Sequence, residues 1–405
     1  MYLIQTLIFI IPIIIIILSS IYFYYYDFGG QGLNDYLSKY GGFFAGFFLI
    51  AVAVCSAIAW GLYAIDYRNK VYFNEIWNNY FNEVRYYQKW DEKVSCRHPE
   101  YCTRQVTRHH TDSEGHSYTT TETETYQCGW KHSYDVDFHP ERWEAILETG
   151  DAFSISKAEY DFRKNLWCNE TFVDLNRHYH SIDGDMFKSM WNQKISTVFQ
   201  HSSIHSYKNK VRNSKSIFSS QKTSTEFANL FGKSPAETGN LQVIYAYGLK
   251  INTELENDYL QKLNALNGSK YQIHCMIILF NANKYQQTII NDLKSAWNGV
   301  NKNELVICVG LNEKQIAWCE SASWMDNTTI HAKIRQDVFD LKNYNGIKIA
   351  DIADGNVKKL WQRKHFRDFE YLSVQVSNWV YISGIISTLV INIIAFIGCY
   401  NAKKY

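Results

Sequence analysis

The sequence predicts an α/β fold in which three transmembrane helices, two N-terminal and one C-terminal, flank a Cys/His β-ribbon and an α/β layered domain. Three observations carry this expectation. Uncharged apolar runs stand at 2–23, 43–65 and 379–400. Cysteine and histidine concentrate in CRHPEYC (96–102) and CGWKH (128–132). Strand-like and helix-like stretches alternate from 242 to 367, the pattern of a layered sheet.

Each apolar run is near the roughly 20 residues that a helix needs to cross a bilayer. Aromatic clusters at their ends, Tyr22 to Tyr26 and Trp379 with Tyr381, suit an interfacial belt. The first run lacks a basic n-region and is long for a cleaved signal peptide, so it reads as an anchor. A lipid bilayer is therefore an expected partner. Gly42 with Gly46, and Ala57 with Gly61, place small residues at helical spacing, which suits packing within the chain or a homo-oligomer.

Short charged flanks set orientation. Arg68, Lys70, Lys364 and Arg367 adjoin the polar domain, against Lys39, Lys403 and Lys404 on the other side. Cys275 and Cys308 lie in apolar strand-like runs and read as free buried thiols, which suits a reducing compartment. The expected placement is thus the inner membrane with a cytoplasmic domain. With 41 basic and 40 acidic side chains the net charge is +1, which lacks the basic excess of a nucleic-acid binder.

The elements follow in order. Residues 1–66 hold the first two spans and a short loop. Residues 67–95 place Val71, Ile76, Trp77, Tyr80 and Val84 near a 3.6 period, which predicts a juxtamembrane amphipathic helix. Residues 96–140 form a Cys/His hairpin module. Its TDSEGHS is a turn signal flanked by alternating residues, so a hairpin centred near Glu114 is expected. Tyr134, Val136 and Phe138 alternate as a strand, with Asp135, Asp137 and His139 on its other face, which reads as solvated, with a carboxylate–imidazole metal site as the lesser reading.

Residues 141–240 form a mixed connection, with helices expected at 156–168 and 184–200. The basic, serine-rich stretch 201–223 reads as a solvated linker. The α/β domain at 241–370 contains QVIYAYGL, YQIHCMIILFNA, ELVICVGL and QIAWCESAS as strands. Its helices are TELENDYLQKLNALNG, closed by Gly268 as C-cap, then KYQQTIINDLKSAWNG and TTIHAKIRQDVFDLKN. The third span occupies 376–400.

The hairpin brings Cys102 and Cys128 to the same end of a ribbon, with Cys96 and His98 just before it and His132 just after. Cys96, His98, Cys102, Cys128 and His132 are therefore the candidate metal ligands. Mixed thiolate and imidazole sets suit structural zinc, which would stabilise a ribbon with little core. C-x5-C does not match the tight knuckle of zinc ribbons, so a Cys102–Cys128 disulfide competes, and unliganded thiols are a third reading. Elsewhere no phosphate-cradling loop, HExxH or nucleophile elbow occurs. His331 and His365 are single. Asp326 and Asn327 read as a helix N-cap.

The string CRHPEYC…CGWKHSYDVDF resembles a Cys/His-rich segment of uncharacterised membrane proteins encoded by large tailed bacteriophages. NGVNKNELVICVGLNEKQIAWCESASWMDN, KIRQDVFD and FRDFEYL followed by Trp379 extend the resemblance, which covers roughly residues 80 to 380. Relatives carry further cysteines, as CxC and CxxC, where this chain has Cys102-Thr103-Arg104 and Thr125-Tyr126-Gln127-Cys128. His98 or His132 must then complete a zinc sphere. Residues 242–340 more distantly resemble the TPM domain, an α/β module found in phosphatases and assembly factors. The resemblance implies a phage-encoded protein of the host inner membrane with an interaction or scaffold role and an unknown protein partner. A TPM-like phosphatase, or a virion or lysis component, is the alternative.

Overall fold

The structure, a computed structural model, describes residues 33–111, 115, 117–175, 177, 184–214, 228–325 and 327–402, with Ile14, Ile17, Leu18, Ile21 and Tyr25 ahead of them. Helix α1 (Leu33–Val71) carries Arg68 and Lys70 in its last turn, and the aromatic-rich run that follows is a strand. Strand β1 (Tyr72–Tyr87) and strand β2 (Trp90–Ser95) replace the juxtamembrane helix expected over 67–95. Tyr, Phe, Trp, Ile and Val dominate β1, and such side chains favour the pleated surface.

Two two-stranded sheets follow. Strands β3 (Pro99–Thr111) and β4 (Ser117–Trp130) pair as the expected hairpin, with Thr111 opposite Ser117. Strand β5 (Tyr134–His139) returns to pair with β2, Ser95 opposite Tyr134. A six-stranded sheet then forms around β1 from β6 (Arg142–Leu147), β7 (Ala152–Ser154), β8 (Glu170–Val173), β9 (Met186–Met190) and β10 (Phe199–Lys208). Helix α2 (Lys157–Trp167) is capped by Ser156, whose hydroxyl accepts from the Glu159 N–H at 3.2 Å. The helix expected at 184–200 is instead β9 and a 3-10 turn at Ile195–Thr197; the expected linker 201–223 opens in β10 as far as Lys208, and its part from 215 on lies outside the described residues.

The α/β unit shows the four expected strands and three expected helices, and adds a helix at Gly346–Leu360 that the sequence reading lacks. Its strands are β11 (Ile244–Tyr247), β12 (His274–Asn281), β13 (Glu304–Asn312) and β14 (Gln315–Ala322), ordered β11-β12-β13-β14. The first three are parallel and β14 is antiparallel. The helices are α3 (Glu254–Tyr271), α4 (Ile289–Ala296), α5 (Thr329–Asp340) and α6 (Gly346–Leu360). Leu260 and Leu263 of α3 pack with Ile277 and Leu279, whereas Ile289, Ile290 and Leu293 of α4 pack with Met276, Ile278 and Phe280. Alternate residues of β12 face opposite ways, so α3 and α4 cover opposite faces. Both crossovers step the same way across the sheet, so they have opposite hands and one departs from the usual right-handed rule. Cys275 and Cys308 are free and buried on these two faces, as expected. Burial pushes the Cys275 thiol up to about 12.

The three transmembrane helices are not supported. Among the described residues no helix is long and apolar enough to cross a membrane. The first run, 2–23, lies almost wholly outside the described residues. The second belongs to α1, whose last turns carry Asp66, Arg68 and Lys70. The third belongs to α7 (Asn378–Ala402), which includes Ser383, Ser387 and Thr388. The two helices instead tie into the fold and pack on each other. Asp66 accepts from the Ser377 N–H at 2.9 Å and from its hydroxyl at 2.7 Å, and Lys70 donates to the Gln375 carbonyl at 2.6 Å. Placement as an integral protein of the host inner membrane, and the orientation drawn from charged flanks, lose their basis.

Candidate metal centre

Two short connections join the β2–β5 pair to the β3–β4 ribbon, and both carry candidate ligands. Cys96 and His98 lie between β2 and β3, and His132 lies between β4 and β5. The Lys131 N–H donates to the His98 carbonyl at 3.0 Å and closes this neck. Asp135, near the start of β5, turns toward it. Ligand atoms of Cys96, His98, His132 and Asp135 all lie within 4.8 Å of one another, a Cys/His/Asp cluster that could hold a metal ion.

The contacts resemble the edges of a coordination polyhedron. Cys96 Sγ is 3.8 Å from His132 Nε2, His132 Nε2 is 3.4 Å from Asp135 Oδ1, and His98 Nδ1 is 3.1 Å from the same oxygen. Bonds of about 2.0–2.3 Å in a tetrahedral site give ligand–ligand edges of about 3.3–3.8 Å. Cys96 is buried, Asp135 half-buried, and the two imidazoles are exposed at the rim.

Supporting contacts aim the ligands inward. His132 Nδ1 lies 2.8 Å from the Tyr134 carbonyl, which can only accept, so Nδ1 carries the proton and Nε2 presents its lone pair to the cluster. The His98 N–H donates to Cys96 Sγ at 3.4 Å. The Arg97 N–H donates to Asp135 Oδ2 at 2.5 Å, while its guanidinium pairs with Asp137. That N–H holds the Asp135 carboxyl below its ordinary range, against an opposing push from burial. With a metal bound, Cys96 as thiolate, Asp135 as carboxylate and the two imidazoles in neutral form would supply two negative charges to match a divalent cation.

Three of the five sequence candidates, Cys96, His98 and His132, thus come together. Cys102 and Cys128 do not join them, because they are bonded to each other with Cα atoms 5.6 Å apart. A bulge explains this pairing. Glu100 faces Gly129 while Tyr101 faces Gln127, so Cys128 is the extra residue, set diagonally across from Cys102. The disulfide reading therefore holds for Cys102 and Cys128, while Cys96, His98 and His132 stand apart from it in a cluster that could hold a metal ion. The sequence favours a solvated strand face for Asp135 over a metal site shared with Asp137 and His139, and the structure places it instead with Cys96, His98 and His132. Its signal is its place three residues after His132 in the strand pairing with β2.

The remaining candidates have other partners. His139 bonds Glu92 at 2.8 Å and stacks on Trp90, with ring centroids 4.3 Å apart. His331 lies between the hydroxyls of Ser321 and Ser323, at 2.7 and 3.0 Å. His365 caps a 3-10 turn at Phe366–Phe369. Asp326 lies outside the described residues, and Asn327 Oδ1 accepts from the Thr329 N–H at 3.1 Å. Compared with known proteins, the chain matches no family model, no curated protein and no solved structure.

Proposed function

We propose that this chain is a non-enzymatic interaction or scaffold protein whose β-ribbon is an arm held at its base by structural zinc. The carrying observation is the cluster of Cys96, His98, His132 and Asp135 at the neck of the ribbon. Zinc suits the set because it accepts sulfur, nitrogen and oxygen ligands in tetrahedral geometry. The ion would join the two connections that the chain crosses on entering and leaving the ribbon. Binding there would contribute folding free energy where little apolar surface is buried. Four protein donors complete a closed structural sphere, which leaves no position for substrate.

Metal analysis tests this reading. The purified chain should carry stoichiometric zinc, and cobalt in its place should show the intense visible bands of a tetrahedral thiolate site. Cys96→Ser and Asp135→Asn should each lose the metal, while the double variant Cys102→Ser/Cys128→Ser should keep it. Zinc that survives Cys96→Ser, or a wild-type chain that takes up none, would refute the assignment.

A further inference from the structure

We propose that the β3–β4 ribbon pairs edge to edge with the ribbon of a second copy of this chain, β3 of one copy against β4 of the next. The inference rests on reading the ribbon as the interaction arm and names its partner. Among the described residues β3 and β4 pair only with each other, so each keeps an outer row of backbone donors and acceptors. The strands have 13 and 14 residues, roughly 40 Å of open edge at 3.4 Å per residue.

Sheet edges are commonly blunted by lysine, proline or bulges. From Glu100 to Gln127 this ribbon contains no lysine and no proline, and its bulge sits at the base rather than along the edge. An isolated two-stranded ribbon is marginal in water, and a third strand relieves that.

Charge selects the partner edge. Arg104 pairs with Glu124 at 2.9 Å and Arg108 with Glu122 at 3.2 Å. Both arginines lie on β3 and both glutamates on β4. A two-fold pairing of β3 with β3 would set arginine against arginine, and β4 with β4 glutamate against glutamate, each destabilising. Placing β3 beside the next copy's β4 in the same antiparallel register repeats the Arg–Glu pairs. The opposite face is then matched as well. Thr103 faces Thr125, Gln105 faces Thr123 and Thr107 faces Thr121, all exposed, so extension continues uncharged hydroxyl rows. Such a head-to-tail contact closes into a ring or grows as a filament.

The test is a charge swap that leaves each ribbon internally paired: Arg104→Glu, Arg108→Glu, Glu122→Arg and Glu124→Arg together. Sedimentation should show wild type and swapped chain each associating as concentration rises. Mixed under different tags, they should associate with each other more weakly than with themselves, by roughly tenfold. Wild type that stays monomeric throughout the micromolar range, or free mixing of the two forms, overturns the proposal. If the fourfold swap fails to fold, the pair Arg104→Glu/Glu124→Arg gives the same comparison. Zinc content is read on the same samples. A zinc-loaded monomer sinks the pairing alone, whereas a chain that takes up no zinc sinks the metal reading.

Discussion

At Gly268 the backbone of α3 presses on β1, and no side chain fits between them. A Cβ there would lie 2.2 Å from the Asn78 carbonyl oxygen and 2.8 Å from its carbon, and strand backbone cannot step aside cheaply. The sequence predicts a C-cap at this glycine. The helix instead runs on to Tyr271, and Gln272 takes the left-handed conformation at φ 52°. Gly268→Ala should therefore destabilise the fold by about 1–3 kcal/mol through overpacking. Gly355→Ala, in α6 with nothing within 4 Å, should stabilise it by about 0.5–1 kcal/mol, because alanine loses less backbone entropy. Urea unfolding of both variants checks the pair. The Cys/His/Asp cluster is legible in part, since the sequence also offers Cys102 and Cys128 as ligands and these are bonded to each other. Residue type and nearness in sequence pointed to Cys96, His98 and His132. Asp135 escaped because alternation along β5 says which face a residue takes, not which connection folds over that face.

Strands and helices differed in how far their patterns could be read. The buried strands β12 and β13 have apolar interiors, Cys275–Phe280 and Leu305–Leu311, between polar ends, and the sequence pattern shows both. In β1 the buried positions include Ile76, Phe81, Val84 and Tyr87, a spacing close to a helical one. The cause is a strand that changes partners along its length. It pairs with β10 up to Phe81, then with β6 and β9, with a register shift between Phe81 and Glu83. Partner exchange of that kind leaves no periodic trace in the sequence. The ribbon was the opposite case, since its turn chemistry and alternation fixed the hairpin and its centre. Its stability is local. The Cys102–Cys128 bond closes a loop with a sequence separation of 26, and such a cross-link contributes about 3–4 kcal/mol in the chain-entropy description. In Cys102→Ser/Cys128→Ser, amide hydrogen exchange should accelerate across 99–130 and stay unchanged in β12 and β13. Equal acceleration in both regions would show that the ribbon is not a separate cooperative unit.

On the scale of the molecule, the six-stranded sheet and the α/β unit meet through buried polar groups. Asn303 Nδ2 donates to the Ile76 carbonyl at 2.8 Å, and Asn301 Nδ2 to the Asn74 carbonyl at 3.0 Å. Arg363 pairs with buried Glu75 at 2.6 Å and lies over the Trp77 ring. His274, at the start of β12, is 1% exposed, and the Asn78 side-chain amide donates to its Nδ1 at 2.9 Å. Burial lowers this imidazole from 6.5 to about 4, so the folded chain holds it neutral. Above about pH 6.5 the folded and unfolded chains are both neutral here, and the group leaves stability independent of pH. Between about 6.5 and 4 the unfolded chain takes up a proton that the folded chain refuses, and stability falls. Below about 4 both forms are protonated and the loss is complete, at about 3 kcal/mol. Urea unfolding across this window should show the slope in wild type. It should be reduced in His274→Asn, which keeps an acceptor for Asn78 but cannot take the proton. An imidazole resonance for His274 that titrates near 6.5 in the folded protein would contradict the burial that ties the two units together.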